Sequence, residues 1–162
     1  LGTSAHSTVQ IDNQDSSEVW SGFRVANRAV PFDINVNYSK DCLMSFSASH
    51  DGYKRMPTSP IHKREFLYSN NSLEINDQIS GFGNIVVSRY FIHPDIEISI
   101  AEKEFLFCKN GEVIAKLDVE SNHDALIYDS NYHDKFGSSI MNKCIQITGK
   151  SPQNIKAKFY II

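Results

Sequence analysis

The segment Phe105-Leu106-Phe107-Cys108-Lys109-Asn110-Gly111-Glu112-Val113-Ile114-Ala115 predicts a tight β-hairpin, and the interpretation of the whole chain begins there. Aromatic and β-branched residues, which favour strands, lie on both sides of the Asn-Gly dipeptide. Asn and Gly tolerate the positive φ angles that both central residues of a type I′ turn require, and this turn matches the twist of paired strands. The segment therefore indicates two antiparallel strands joined at Asn110-Gly111.

Alternation of apolar and polar residues predicts further strands along the chain. Residues 32–38, Phe-Asp-Ile-Asn-Val-Asn-Tyr, alternate without interruption, which is typical of a half-buried strand with its apolar side chains on one face. The same period recurs in residues 96–100 and 155–161. Clusters of β-branched and aromatic residues predict the other strands, at 42–48, 85–92, 105–107, 113–117 and 144–148.

Helix is expected to be nearly absent. No window of a dozen residues carries the apolar period of an amphipathic helix, and turn-forming residues recur about every ten positions. Loops are predicted at residues 52–60, 69–72 and 129–137. Many short antiparallel strands separated by turns are typical of an all-β fold, and we expect an antiparallel two-sheet β-sandwich with little or no helix.

The composition limits the possible classes of protein. A length of 162 residues suits one domain, so we expect residues 1–162 to form a single β-sandwich domain. The formal net charge of −3 argues against nucleic acid as a partner. No apolar run is long enough to span a membrane, and no signal-peptide pattern occurs. The chain begins at Leu1, within a stretch typical of a structured element, so we expect it to be a piece of a longer protein.

Three cysteines, Cys42, Cys108 and Cys144, lie far apart in the sequence. Their number is odd, and their spacing is not that of a zinc ribbon or a redox motif. We interpret them as buried free thiols.

Among the six histidines, His6 is the candidate metal ligand. Its neighbours Ser4, Ala5, Ser7 and Thr8 are small, so an ion or ligand has room to approach the imidazole. Imidazole is a common metal ligand, but one histidine does not make a site. Pro94 after His93 predicts an extended strand end there. The remaining histidines lie in or beside predicted loops and are interpreted as solvated; they are His50, His62, His123 and His133.

No Ser-His-Asp order, Cys-His pair or glycine-rich phosphate loop occurs, so no catalytic residue is predicted. The aromatic residues Trp20, Phe23, Tyr38 and Phe46 either line a sugar-binding platform or, as the strands of a sandwich favour, fill the core. The acidic residues Asp12, Asp15 and Glu18 are interpreted as a solvated turn. Salt bridges on strand faces are favoured over carboxylate or sulfate binding for Arg24, Arg28 and Arg64.

Longer motifs resemble those of one family. Residues 5–15, Ala-His-Ser-Thr-Val-Gln-Ile-Asp-Asn-Gln-Asp, followed by Trp20 and Phe23-Arg24, resemble the "Ala-His-Asn-Thr-Val-x-Val-Asp-Gly-x-Asp-Gln" segment of the heparinase II/III-like polysaccharide lyases. The resemblance continues in order over essentially all 162 residues. Its further pieces are residues 61–66 ("x-His-x-Arg"), 73–81 ("Leu-x-Ile-x-Asp-x-Ile-x-Gly"), 91–94 ("His-x-His-Pro") and 128–137 ("Tyr-Ser-x-x-Phe-Gly").

The resemblance implies that this chain is the C-terminal β-sandwich portion of such a lyase. In that family an α/α toroid precedes the sandwich, and an acidic polysaccharide binds between them. The reaction is β-elimination at a uronic acid, in which a base removes the C5 proton and an acid protonates the departing O4. Because the toroid carries the tyrosine and the asparagine or histidine that act on the uronate, we expect this chain alone to be inactive.

The resemblance also implies a metal site, usually zinc, made by an earlier histidine, a carboxylate and the histidine of the Ala-His-Asn-Thr segment. His6 matches the last of these ligands, and the other two would lie upstream of Leu1. Ser7 stands where the family usually has asparagine, and we expect this difference to remove a hydrogen bond that orients the strand or its ligand.

Two alternatives remain open at this point. The chain is either part of a lyase or a non-catalytic carbohydrate-binding or surface-assembly β-sandwich module. A lyase-like enzyme, in turn, would act in scavenging or in capsule and exopolysaccharide production. The family implies a bacterial periplasmic or secreted location, which nothing in these residues encodes.

Overall fold

The structure is a computed structural model that describes residues 2–21, 24–39, 44–101, 104–120 and 123–162. Predictions that concern Leu1, Phe23 and Cys42 fall outside these residues. A 3₁₀ helix, Thr3–Ala5, comes first. The strands follow in chain order: β1 (Val9–Ile11), β2 (Val19–Trp20), β3 (Arg24–Val25), β4 (Pro31–Tyr38), β5 (Met44–His50), β6 (His62–Ser69), β7 (Ser72–Ile79), β8 (Ile85–Phe91), β9 (Glu97–Ala101), β10 (Glu104–Lys109), β11 (Glu112–Val119), β12 (Asp124–Tyr132), β13 (Ile140–Lys150) and β14 (Gln153–Ile161).

Two antiparallel sheets form the sandwich. The smaller has the order β1-β8-β13-β12, and the larger has the order β4-β5-β6-β7-β14-β11-β10-β9. The short strands β2 and β3 form a separate ribbon. The predicted all-β, antiparallel sandwich with little helix is therefore confirmed.

One apolar core joins the two sheets. Val86 and Ile147 from the smaller sheet belong to the same buried cluster as Leu117 and Ile155 from the larger one. The ring of Tyr90 on β8 contacts that of Phe159 on β14, with centroids 5.6 Å apart. Burying each large apolar side chain contributes about 1.5–3 kcal/mol, so this shared cluster holds the sheets face to face.

The hairpin prediction is confirmed. Asn110 and Gly111 have φ angles of 53° and 82°, the positive values that a type I′ turn requires. Lys109 pairs with Glu112, so the loop between β10 and β11 has two residues. The register shifts between Phe107 and Cys108, where β11 carries one extra residue, Ile114, and therefore the bulge.

The half-buried strand predicted for residues 32–38 is present as β4, but the predicted burial is wrong. The strand exists, but every residue in it is exposed, including Ile34 at 59% and Tyr38 at 77%. The reason is position: β4 is the outermost strand of an eight-stranded sheet, and the smaller sheet has only four strands to cover it. Asp33 adopts a φ of 49° where the register shifts, so the alternation is also interrupted by a bulge.

The loop prediction for residues 129–137 is wrong over its first part. Strand β12 continues to Tyr132, which pairs with Ile140 on β13. The polar residues of this segment suggested a loop. They are compatible with a strand because β12 is at the edge of its sheet, with one side in solvent. Residues 69–72 form a tight connection, in which Ser69 pairs directly with Ser72.

The free-thiol prediction is confirmed for Cys144, which is fully buried, whereas the free thiol of Cys108 is only half-buried. Among the described residues, no helix is long and apolar enough to cross a membrane.

Candidate functional site

His6 lies at the surface, where the 3₁₀ helix leads into β1. Its backbone N–H donates to the Thr3 carbonyl at 3.2 Å, and its carbonyl accepts from the Thr8 N–H at 2.8 Å. The exposed side chain borders a depression of about 250 Å³ that Ser16 and Val19 also line. The imidazole is therefore accessible to an ion or ligand, as its small neighbours predicted.

A metal at His6 needs ligands from elsewhere. Within the described ranges, no group of three His, Cys, Asp or Glu side chains is arranged to hold a metal ion. His6 offers one imidazole, whereas a zinc site takes three or four protein ligands. Its exposure fits a ligand that completes a site with another segment, and its metal role stays a prediction.

Ser7 fixes the segment that carries His6. Its hydroxyl accepts a hydrogen bond from the Phe91 N–H at 3.0 Å, which joins the segment to the end of β8. Its carbonyl accepts from Nη1 of Arg64 on β6 at 2.6 Å. The serine at this position therefore makes an orienting hydrogen bond of its own, and the His6 segment is held from both sheets.

Beneath this segment, a buried polar network surrounds Asp77 on β7. The Arg64 guanidinium donates from Nε to Oδ1 at 2.6 Å and from Nη2 to Oδ2 at 2.7 Å. Ser88 on β8 donates to Oδ2 at 2.8 Å, and His62 Nε2 lies 2.7 Å from Oδ1. Burial works to raise the pKa of Asp77, but the hydrogen bonds from Arg64 and His62 outweigh it and hold that pKa well below its usual range.

The network continues from His62 to His50. The Gly52 N–H donates to His50 Nδ1 at 3.2 Å, so the His50 proton resides on Nε2. His50 Nε2 donates to His62 Nδ1, which lies 3.0 Å away. Because His62 Nδ1 is the acceptor there, the hydrogen of His62 is on its Nε2, which donates to Asp77. Burial and the neighbouring His62 lower the pKa of His50 to about 4.

The interpretation of His50 and His62 as solvated loop residues is wrong. They pair across the ends of β5 and β6, and His62 is only 2% exposed. Gly52 and Pro60 near these strand ends suggested a loop. The pairing register, which turns both rings toward the interior, depends on residues twelve positions apart.

A second depression, of about 460 Å³, lies along the ribbon of β2 and β3. The Trp20 side chain lines it and is 52% exposed. Arg24, its partner across the ribbon, places its Cζ 5.2 Å from the indole centroid. Val19 lines this depression and the one at His6, so the two adjoin.

The core interpretation is therefore wrong for Trp20 and for Tyr38, because both are exposed. Phe46 is half-buried beside Phe66, with ring centroids 6.1 Å apart, which agrees with a packing role. Aromatic content alone does not reveal this difference, since burial depends on which sheet edge each residue occupies.

Arg55 also lines the Trp20 depression, and its guanidinium is held by backbone carbonyls and by Glu18. Its guanidinium donates to the Ser16 carbonyl at 3.1 Å and also to the carbonyls of Asp15 and Gly52. Its Nε lies 3.5 Å from the Glu18 carboxylate. These contacts hold the turn after β1 in place.

The predicted acidic turn is present, but its carboxylates hold backbone groups rather than only solvent. Asp12, with a φ of 47°, accepts the Ile85 N–H at 2.7 Å. Asp15 accepts the Thr3 N–H at 2.6 Å, which fixes the 3₁₀ helix before His6.

The other arginine and histidine predictions have different outcomes. Arg64 forms the expected salt bridge, whereas Arg28 lies exposed in the loop after β3. His93 follows the end of β8, as predicted, and contacts the ring of Tyr132 at 5.3 Å. His133 lies in a loop, where its Nδ1 donates to the Ser138 carbonyl at 2.7 Å.

Comparison with known proteins gives one family and one fold. The family model described as "Heparinase II/III-like, C-terminal" matches residues 1–158. A solved heparinase III gene product has 17% identity and a TM-score of 0.74, with 99% of this chain and 24% of that chain covered. The structure of heparan sulfate lyase HepC from Pedobacter heparinus has 13% identity and a TM-score of 0.72, with 96% and 24% covered.

At these identities, the similarity to solved structures establishes the fold alone. The chain spans 24% of the length of each of these two relatives. A comparison with curated proteins finds no significant match.

Proposed function

Because the chain belongs to the heparinase II/III-like, C-terminal family, we propose that it is the β-sandwich portion of a lyase that cleaves uronate-containing acidic polysaccharides by β-elimination. The observation that carries the proposal is the family match over residues 1–158. The exposed position of His6, in the family's most specific motif, supports it.

In this proposal the sandwich supplies a wall of the substrate cleft, while an α/α toroid upstream in the longer protein supplies the reacting groups. Elimination requires a donor that neutralises the uronate carboxylate, a base for the C5 proton and an acid for the leaving O4. On the sandwich side, the His6 imidazole and the Arg24 guanidinium are both exposed. Neither is assigned as the base, so this chain alone is expected to be inactive.

Zinc is the metal proposed for the longer protein, held by His6 together with a histidine and a carboxylate from upstream. Bound there, it would supply positive charge and fix the two segments relative to each other. The hydrogen bonds of Ser7 and Asp15 would set the direction of the His6 ligand from this side.

The test uses the longer protein that contains this chain, with the 162-residue chain as the matched control. Heparan sulfate and alginate are incubated with each, and the ultraviolet absorbance of the unsaturated uronate product is followed. Product from the longer protein and none from the chain alone supports the proposal. Product from the chain alone, or none from the longer protein with either substrate, overturns it.

The second candidate function is a non-catalytic carbohydrate-binding module, which the exposed Trp20 favours. The same assay separates the two, since a module binds polysaccharide without releasing unsaturated product.

A further inference from the structure

We propose that Trp20 and Arg24 form a binding subsite for one acidic sugar unit of the polysaccharide. The inference rests on the proposed function, because it names sugar-contacting residues on the same surface. It concerns binding rather than cleavage, and it is tested without catalysis.

Trp20 lies outside the buried core of the described residues. The indole is 52% exposed, although an aromatic side chain of this size normally contributes to a core. It lies on a ribbon of two-residue strands, which is separate from both main sheets. Ligand sites combine such aromatic walls with a few polar groups, and a sugar ring presents C–H groups that suit a flat indole.

Arg24 supplies the charge that an acidic sugar would meet. Its guanidinium lies 5.2 Å from the indole centroid, a cation–π contact that holds it beside the Trp20 ring. No described carboxylate forms an ion pair with Arg24, whereas Arg64 and Arg55 are paired with Asp77 and Glu18. A guanidinium with free donors recognises carboxylate and sulfate groups by two parallel hydrogen bonds.

The remaining lining fits a sugar unit rather than a purely ionic ligand. Asn13 and Gln14 border the depression and are exposed, so their amides are available to hydroxyl groups. The carboxylates of Asp15 and Glu18 also line it, but Thr3 N–H holds the first, and Asn27 and Arg55 hold the second. The volume of about 460 Å³ falls within the usual range of about 300–1,000 Å³ for small-ligand sites.

The position of the subsite relates it to His6. Val19 borders both the depression that His6 lines and the depression that Trp20 lines. A linear polysaccharide bound at Trp20 has room to extend past Val19 toward the depression that His6 lines. The subsite therefore selects an oligosaccharide that carries an anionic group on the unit stacked against Trp20.

Trp20 is the only tryptophan of the chain, so its fluorescence reports on this site alone. The 162-residue chain is titrated with a size-defined heparan sulfate oligosaccharide and, separately, with a neutral maltooligosaccharide. We expect a saturable change in Trp20 emission with the acidic probe and at least a tenfold weaker response to the neutral one. The same emission change with both probes, or none with the acidic probe, overturns the proposal.

Two matched pairs of variants identify the residues. Arg24→Gln is expected to weaken binding about tenfold, and Arg28→Gln, which removes an exposed arginine without a contact to the Trp20 ring, less than about twofold. Calorimetry measures oligosaccharide binding by the second pair. Trp20→Ala is expected to abolish measurable binding, whereas Phe82→Ala, which removes another exposed aromatic ring, should have no effect. Equal weakening within either pair indicates nonspecific attraction and refutes the subsite.

Circular dichroism and unfolding curves show whether each variant is folded.

Failure of the subsite proposal is distinguishable from failure of the proposed lyase function. Tight, Trp20-dependent binding by a chain whose longer form releases no unsaturated product refutes the lyase and keeps the subsite. Cleavage by the longer form, with binding that is indifferent to Trp20 and Arg24, refutes the subsite alone.

Discussion

Arg64 and Asp77 face each other across β6 and β7 and form a two-point ion pair inside the sandwich, with N–O distances of 2.6 and 2.7 Å. The Asp77 side chain is 0% exposed and that of Arg64 is 14% exposed. Because Arg64 also donates to the Ser7 carbonyl, this pair connects the buried network to the segment that carries His6. The conformation of the candidate site thus depends on a charge pair below the surface.

Replacing Asp77 with asparagine should destabilise the chain by about 3–5 kcal/mol, because it leaves the Arg64 charge buried without its partner. The free energy of unfolding in urea measures this loss. Asp118→Asn is the control, since Asp118 is exposed on the same sheet and its change should cost at most about 0.5 kcal/mol. Equal losses in the two variants would contradict the role assigned to the pair.

Stability should fall as the pH is lowered from about 6.5 to about 4, because the pKa of His50 is near 4 in the folded chain and 6.5 is its ordinary value. In this window the unfolded chain binds a proton at His50 that the folded chain does not, so acid favours unfolding. The resulting loss of stability is roughly 3 kcal/mol at most, and the loss is complete below about pH 4.

Urea unfolding at a series of pH values measures this dependence. His50→Gln should flatten the curve between about pH 6.5 and about pH 4, and His133→Gln, which changes an exposed loop histidine, should leave it unchanged. An unaltered slope in His50→Gln would show that another group titrates. The lowered pKa of Asp77 adds a separate loss of stability in stronger acid. As the pH falls, the Asp77 carboxylate is protonated in the unfolded chain before it is protonated in the folded chain.

His6→Ala in the longer protein should remove its bound zinc, since three ligands hold the ion in the proposed site and loss of one imidazole leaves two. Elemental analysis of the purified protein gives the zinc content per chain. His133→Ala serves as the control and should keep the metal. Stoichiometric zinc in His6→Ala, or none in the unaltered protein, would exclude His6 as a ligand.

Gly111→Ala should destabilise the β10–β11 hairpin by about 1 kcal/mol, because an alanine at a φ of 82° is strained. An added Cβ would meet no atom within 4 Å, so the loss arises from the backbone and not from a clash. Gly111→Asn should cost less, since asparagine tolerates the left-handed region better. Thermal unfolding compares the two variants, and equal losses would disprove a conformational origin.

Local signals in the sequence determined much of this protein. Asn110-Gly111 specified a hairpin because the turn's φ angles depend on those two residues alone. Alternation located β9 and β14 for a similar reason, since the period of side-chain direction is a property of one strand. The ordered motifs around His6 identified the family without any knowledge of the fold.

Only the tertiary structure decided which faces are covered. Alternation in β4 shows which side chains share a face, but whether a second sheet lies against that face depends on strand order, which brings together distant segments. For the same reason, the exposure of Trp20 and the pairing of His50 with His62 were not readable from composition. Burial and hydrogen-bond partners are long-range properties, and in this chain they determine which polar residues are buried in a network and which are exposed.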